Sequence, residues 1–507
     1  MPLSSSPWPR FKTVPWSRRL LAGQFSAACI LIALILFVPG SRIGAIERTN
    51  LADTSPGSQE LRRRLEVERA AVQSANPQSI IEASEKLVAL ALRQMGEWRM
   101  QQKAYPQAIE LCRASILLED SPELRADLAA REEQAKQGHQ TGLAELDSVD
   151  PAAAPPISVL KSAKLTPAQL QHGKMQEKRL RQILSTTYND WGAAEARQQK
   201  YLQALIHFHE AERWSASTPG LMRNIGLAAA KVGDNVEAAR ALKIVVKHDP
   251  KDRVSAAILA ISLFATERYA DAAQVFGTLG DAAVSDPNMA YAWAFSLAHS
   301  NQPKQAGAIL EKLTSRQLPP EMLVSIGEIY NNLGDYEHAL TCFRKAVQQD
   351  PSLKKAHDDA GAALIRLDRP AEAIPELEAE LKLNPDEPDT QYRLAYALLQ
   401  TSQEDQAITV LRTLIAAHPN HARARYDLGK ELLETGKTEE AIQNLEVAAK
   451  LDPERAYVHY QLQSAYRKAA RTSDADRELQ LYRQIKERDR GRTPPQNEAG
   501  DVPDADH

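Results

Sequence analysis

Residues 324–351 read VSIGEIYNNLGDYEHALTCFRKAVQQDP, and this stretch decides the fold. Apolar residues recur with a helical period on both sides of Gly334-Asp335, so the spacing predicts two amphipathic helices joined by a tight turn. Gly334 suits the left-handed conformation just past the first helix. Pro351 stops the second, because the residue before a proline is pushed out of the α region. Gly327 and Ala339 are small where the two helices must approach closely. Ala346 leaves room for the next helix.

Working outward, Pro351, Pro385, Pro419 and Pro453 are spaced by 34 residues. Gly327, Gly361, Ala395 and Gly429 keep that step, as do Ala339, Ala373, Ala407, Ala441 and Ala475. Upstream the series continues through Gly226, Ala238 and Pro250, then Ala260 with Ala272, then Ala294 with Ala306. One residue is lost between Ala294 and Gly327. A fixed period of this length is the signature of a repeat architecture, in which each unit buries its apolar face only against its neighbours.

The in-phase set Leu323, Ile326, Gly327, Tyr330, Ala339, Phe343, Ala346 and Pro351 resembles the tetratricopeptide repeat. The resemblance implies an all-α fold: a right-handed superhelical solenoid of helix–turn–helix units. Nine consecutive units run from about 185 to 488, their alanines at Ala204, Ala238, Ala272, Ala306, Ala339, Ala373, Ala407, Ala441 and Ala475. A tenth, isolated unit lies near 89–122, with Met95, Gly96 and Ala108 in phase. Some units depart from the pattern. Val284 replaces the proline in one, Cys112 and Ser115 stand at the aromatic and small positions of the first, and Gln463 makes the last read as a cap.

The organisation read from the chain is a basic segment 1–19, an apolar segment 20–38, a linker 39–58 and a helical region 59–135 holding the isolated unit. A Pro/Ala-rich linker 136–169, the array 170–488 and an acidic, disordered tail 489–507 complete it. Residues 59–75, rich in Arg and Glu, read as a helix with a mostly solvated surface. Residues 20–38, LLAGQFSAACILIALILFV, carry no charge and are long enough to span a hydrocarbon core as a helix. Arg10, Lys12, Arg18 and Arg19 precede them, so the positive-inside rule leaves the N-terminus in the cytoplasm and the array across the membrane. A signal peptide cleaved after Ala45 is the alternative, giving a secreted or periplasmic array.

The 507 residues carry 62 basic and 66 acidic side chains, a formal charge of −4, which gives no electrostatic footprint for nucleic acid. Three cysteines cannot build a disulfide framework, and Cys112 and Cys342 read as buried, unpaired side chains. No phosphate-binding loop or nucleophile elbow is present. His209-Glu210-Ala211-Glu212-Arg213 lacks the second histidine of a zinc helix, and His207 and His209 fall on different sides of a helix. Asp358-Asp359 and Glu439-Glu440 read as solvated acid pairs. No catalytic residue, metal ligand, cofactor or small-molecule substrate is expected. An enzyme would need an unrecognised site within 120–185.

What remains is a surface. In the family that the repeats resemble, the first helix of each unit lines a concave groove through its second, fifth, ninth, twelfth and thirteenth residues. That phase selects Ile261, Phe264, Tyr291, Phe295, Tyr392, Tyr396, Tyr426, Lys430, Tyr457 and Tyr460 as candidate peptide-groove residues. Aromatic side chains are only 6% of the chain, so their recurrence in one phase is informative. Tyrosine offers a large apolar area with one polar end, which suits holding a peptide, although it can also wedge between neighbouring helices. The family's carboxylate clamp is not supported, since Arg223 and Asn224 are followed by Val254 and Ile258 where cations are needed. The expected partners are therefore a protein or peptide and, through the N-terminal helix, a membrane. An adaptor of an envelope secretion or polysaccharide-export machine is a rival reading within the same class.

Overall fold

In a computed structural model the described residues are 55–137, 150–156, 159–160 and 163–490, and their regular structure is entirely helical. Contacts divide the chain into two compact units, one ending at Ser300 and one starting at Asn301.

The first unit holds α1 (Pro56–Ser74), α2 (Pro77–Gln101), α3 (Tyr105–Leu118), α4 (Pro122–Gln137), α5 (Pro167–Arg197), α6 (Tyr201–Trp214), α7 (Leu221–Val232), α8 (Asn235–His248), α9 (Arg253–Ala265), α10 (Tyr269–Leu279), α11 (Asp281–Ser285) and α12 (Pro287–His299). Three hairpins, α5 with α6, α7 with α8 and α9 with α10, each pack on the next. Where Val284 replaces the usual proline, α10 stops at Leu279 and the five-residue α11 fills the remaining span.

Three expectations about the N-terminal region change. The unit near 89–122 is not isolated, because α2 packs along α5. Arg99 of α2 is fully buried and donates to both carboxylate oxygens of Glu177 on α5, at 3.0 and 2.7 Å. The Trp98 indole N–H donates to the same carboxylate at 3.1 Å. Gly173 sits where a Cβ would fall 1.9 Å from the Trp98 ring, so the helices close completely there. Nor is all of 136–169 a free linker. Residues 150–153 form a strap: Arg213 Nε donates to Asp150 at 2.8 Å, Gln107 Nε2 donates to the Ala153 carbonyl at 3.2 Å, and Arg181 donates to the Ala152 carbonyl. The physical reason is α5 itself. It begins well before the first repeat position, with Thr166 and Gln169 forming a capping box, and every residue from Ile183 to Ala196 is buried. A helix buried all round needs partners on every side, and α2 supplies one of them. In α1 the surface is less solvated than expected, since Leu61, Leu65, Glu68 and Ala71 form a buried stripe. Burial, and then the nearby Asp190, pushes the Glu68 carboxyl well above the usual carboxylate range.

The second unit holds α13 (Pro303–Thr314), α14 (Pro320–Asn332), α15 (Tyr336–Gln349), α16 (Ala356–Arg366), α17 (Pro370–Leu383), α18 (Pro388–Gln400), α19 (Glu404–Ala417), α20 (Ala422–Glu434), α21 (Thr438–Leu451), α22 (Ala456–Lys468) and α23 (Thr472–Arg490). Five hairpins run from α14–α15 to α22–α23, each second helix but the last also packing on the first helix of the next pair. Within the pair at 320–349, a Cβ on Gly327 would meet the Phe343 ring at 2.5 Å, and Ala339 is fully buried. Any larger residue at 327 would separate the helices.

Gly334 takes φ +78°, and its counterparts in the other hairpin turns also lie in the left-handed region. Only Gly233 and Gly436 among them are glycines; Gln199, Glu267, Asp368, Ser402 and Ala470 hold the same conformation with a side chain. The fold demands that turn in each unit whether or not the sequence supplies the residue that takes it most easily.

Cys112 and Cys342 are free, buried thiols. No helix among the described residues is long and apolar enough to cross a membrane. The apolar segment 20–38, the linker up to residue 54 and the tail from 491 lie outside the described residues.

Candidate partner-binding surface

The first helices of the pairs touch one another as well as their own partners: α7 with α9 and α9 with α12 in the first unit, α14 with α16, α16 with α18 and α20 with α22 in the second. They form one layer in each unit, and all ten candidate groove residues lie on them.

In the first unit the candidates pack. Tyr291 is 5% exposed, and Ile261 and Phe264 are half-buried against the core. Phe264 and Phe295 meet edge-on at 5.6 Å, both meet Tyr269 at 5.5–5.9 Å, and Phe295 stacks on His299 at 4.0 Å. Burial holds the His299 imidazole below its usual pKa, so it enters this cluster as a neutral ring. Tyr269 and His299 were not among the expected residues, yet they belong to a repeated contact. A tyrosine at the start of a second helix lies against a residue thirty positions on: Tyr201 with Lys231, Tyr269 with His299, Tyr336 with Arg366. That spacing was open to sequence reading.

In the second unit the candidates divide. The Tyr392 hydroxyl donates to Asp427 at 2.8 Å, and its ring lies 5.0 Å from His421. Burial pushes the Asp427 carboxyl up to about 6, against the pull of the Tyr392 hydrogen bond and of Lys430. Tyr426 meets Tyr457 edge-on at 4.7 Å. Tyr396 is half-buried, and Lys430 Nζ lies 3.4 Å from Glu431. Tyr457 and Tyr460 remain 41% and 52% exposed, Tyr460 leaning on Tyr482 of α23. Tyr392, Tyr426 and Tyr457 are thus brought together across three successive pairs, while Tyr460 stands at the C-terminal edge.

Asp358 and Asp359 are not a solvated pair. Asp358 accepts from Thr390 Oγ1 at 2.9 Å and from Arg393 at 2.5 Å. Asp359 is held well above the usual carboxylate range by burial, then by Glu328 and Asp358. Burial raises Glu328 to about 7. These acids sit where one first helix faces the next, and a pattern of adjacent acids in the sequence cannot show that. Glu440, by contrast, is a surface partner of Arg412 at 2.7 Å.

His209, Glu212 and Glu237 place three possible ligand atoms within 4.8 Å of one another. Arg240 already binds both carboxylates, at 2.7–2.9 Å. The contact from His209 to Glu237 also occupies the same repeat position as Arg344–Glu372 and Arg412–Glu440, each pair 28 residues apart. The trio is one rung of an ion-pair ladder between successive second helices, with histidine where other units use arginine. His207 is held by Glu195 at 2.7 Å and stacks on Trp191 at 4.0 Å. Arg223 is committed to Asp252 at 2.8 Å, and buried Asn224 donates to Asn189 at 2.9 Å, which leaves neither for a carboxylate clamp.

Tetratricopeptide-repeat family models match residues 223–283, 320–353, 364–428 and 422–455. These segments of the chain are tetratricopeptide repeats. Members of this family bind protein or peptide partners and are typically non-enzymatic scaffolds. A search of curated proteins finds no match. Similar solved structures include MamA, 22% identical over 33% of this chain and 97% of that one, with a TM-score of 0.32. A MamA fragment from Desulfovibrio magneticus RS-1 is 25% identical over 34% of this chain and 96% of its own, with a TM-score of 0.31. YrrB, described as a tetratricopeptide protein with an unusual peptide-binding site, is 21% identical over 36% and 92%, with a TM-score of 0.31. Each likeness spans about a third of this repeat protein.

Proposed function

We propose that this repeat protein is a non-enzymatic scaffold that holds a protein or peptide on the first-helix face of residues 388–468, displayed beyond a membrane by the segment 20–38. One observation carries the binding surface. Tyr457, beside Tyr426, and Tyr460, at the C-terminal edge, remain exposed, whereas Tyr291, at the position matching Tyr460, is closed off by its neighbours. Exposed aromatic side chains on a rigid helical layer are good anchors, because they bury much area at little cost in side-chain freedom. The outward display is supported by the four cations that precede the apolar run.

The test separates anchors from wedges. Replacing Tyr426, Tyr457 and Tyr460 together with alanine is expected to leave the melting curve close to the parent and to weaken partner retention, by about 2 kcal/mol for each anchor. Tyr291→Ala is expected to do the reverse, lowering stability by roughly 3–5 kcal/mol as a core truncation. A triple variant that melts much earlier and keeps its partners refutes the assignment. For display, alkaline phosphatase fused after residue 60 is expected to be active; an inactive fusion with an active cytoplasmic reporter at the same point refutes it. Carbonate extraction then distinguishes a retained anchor from a cleaved signal.

A further inference from the structure

We propose that His459 is a protonation-gated latch that holds the terminal helix α23 onto the last repeat. The geometry carries this. His459 is 4% exposed, its Nδ1 lies 2.6 Å from the Glu478 carboxylate on α23, and its Nε2 lies 3.0 Å from the Pro453 carbonyl in the turn after α21. A carboxylate and a carbonyl can only accept. Both contacts are hydrogen bonds only when both ring nitrogens carry protons, that is, when the ring is an imidazolium. One cation thus ties three segments: α22, which bears it, α23, and the end of the preceding unit.

The preceding repeats support the reading. Gln391 Nε2 donates to the Pro385 carbonyl at 2.7 Å and Arg425 Nε to the Pro419 carbonyl at 2.6 Å, the same position and the same six-residue reach. Arg425 also reaches across to Asn444 at 3.2 Å, as His459 reaches to Glu478. Those two units use permanent donors, whereas the unit before them has His357 at this position, its Nδ1 2.7 Å from Glu376. In the last unit a histidine, whose charge changes near neutral pH, makes both the reach to the carboxylate and the contact with the proline carbonyl. The charged groups acting on the ring are Glu478 and Asp452, the latter paired with Arg455 at 2.9 Å, and they hold the imidazolium above its usual pKa. As pH rises through that raised value the ring loses a proton, one of the two hydrogen bonds is lost, and the Glu478 charge is left without its partner. A second tie joins Arg488 to Glu454 at 2.6 Å. Helix α23 buries Ala475 and Ile485, half-buries Leu479 and Tyr482, and adds the latch to this apolar packing. Its release would bare Leu462, Ala465 and Tyr466, which now pack in the core cluster with Ala475.

The experiment is hydrogen exchange on the full-length chain between about pH 5.5 and 8.5, corrected for the intrinsic pH dependence of amide exchange. Opening of 472–490 is expected to rise about tenfold across the titration, the scale of one charge-assisted hydrogen bond, while 422–451 stays constant. His459→Arg and His459→Gln keep a permanent donor and are expected to remove the pH dependence. Glu478→Gln is expected to move the transition to lower pH. The proposal is overturned if the two His459 variants retain the parent's pH dependence. It is also overturned if α23 exchanges at one constant rate while the His459 ring titrates by NMR.

Discussion

Removing Glu177 is expected to damage the first unit more than removing any comparable surface acid. Arg99 is 0% exposed and is bonded to both Glu177 oxygens, to Gln102 Oε1 at 2.6 Å and, more weakly, to the Ala153 carbonyl at 3.4 Å. Glu177→Ala strips the cation of its counter-charge while the guanidinium stays inside the protein. Breaking a buried pair from one side typically costs about 3–5 kcal/mol. Arg99→Met with Glu177→Leu removes both charges, and matched apolar replacement is often close to neutral, so the double variant is expected to lose about 1 kcal/mol or less. The pair also has a pH signature. Burial pushes the Glu177 carboxyl up, but the Arg99 hydrogen bond and the charges of Arg99 and Arg181 outweigh it and hold the pKa below the usual value. A lowered carboxylate stabilises above its unfolded pKa, about 4.3, and that contribution is lost as pH falls through the folded value. Urea unfolding followed by circular dichroism reads the cost, and trypsin cleavage at Arg181 and Arg213 reads release of the strap. If Glu177→Ala costs under about 1 kcal/mol, or the double variant is as unstable as the single one, the buried-pair reasoning is wrong.

Two further outcomes are expected. Ser402→Gly and Ala470→Gly, at left-handed turn positions with φ +57° and +56°, should each raise stability by several tenths of a kcal/mol to about 1 kcal/mol; thermal melting checks this, and a fall in midpoint would count against strain at these turns. Glu328, raised to about 7, should make the parent lose stability as pH climbs from about 4.3 through 7, because the charged form is the one that burial disfavours; denaturation series on Glu328→Gln should show that slope flattened, and an unchanged slope would remove Glu328 from the account.

The helical architecture was legible because it repeats. Gly327, Ala339 and Phe343 announce a close helix crossing in the sequence, and the same spacing returns down the chain. What was not legible depends on contacts without a period. The Arg99–Glu177 pair joins residues 78 apart, outside any repeat unit, and no local pattern signals it. The acids Glu328 and Asp359 look like surface residues until successive first helices are laid side by side. The candidate surface was legible in phase but not in exposure. Tyr291 and Tyr460 occupy matching positions, yet one is enclosed by its neighbours and the other faces solvent, because what differs is the residues around them.

The all-round burial of α5 has a kinetic consequence. In the second unit each hairpin meets its neighbours a few dozen residues away, so pairing can follow soon after each pair of helices exists. Arg99 must instead wait for Glu177, 78 residues later, which at the usual pace of translation is roughly 4–16 s. During that interval α2 has no α5 to cover Trp98 and Met95, both buried in the finished core. The core around α2 therefore closes only after α5 has followed it off the ribosome.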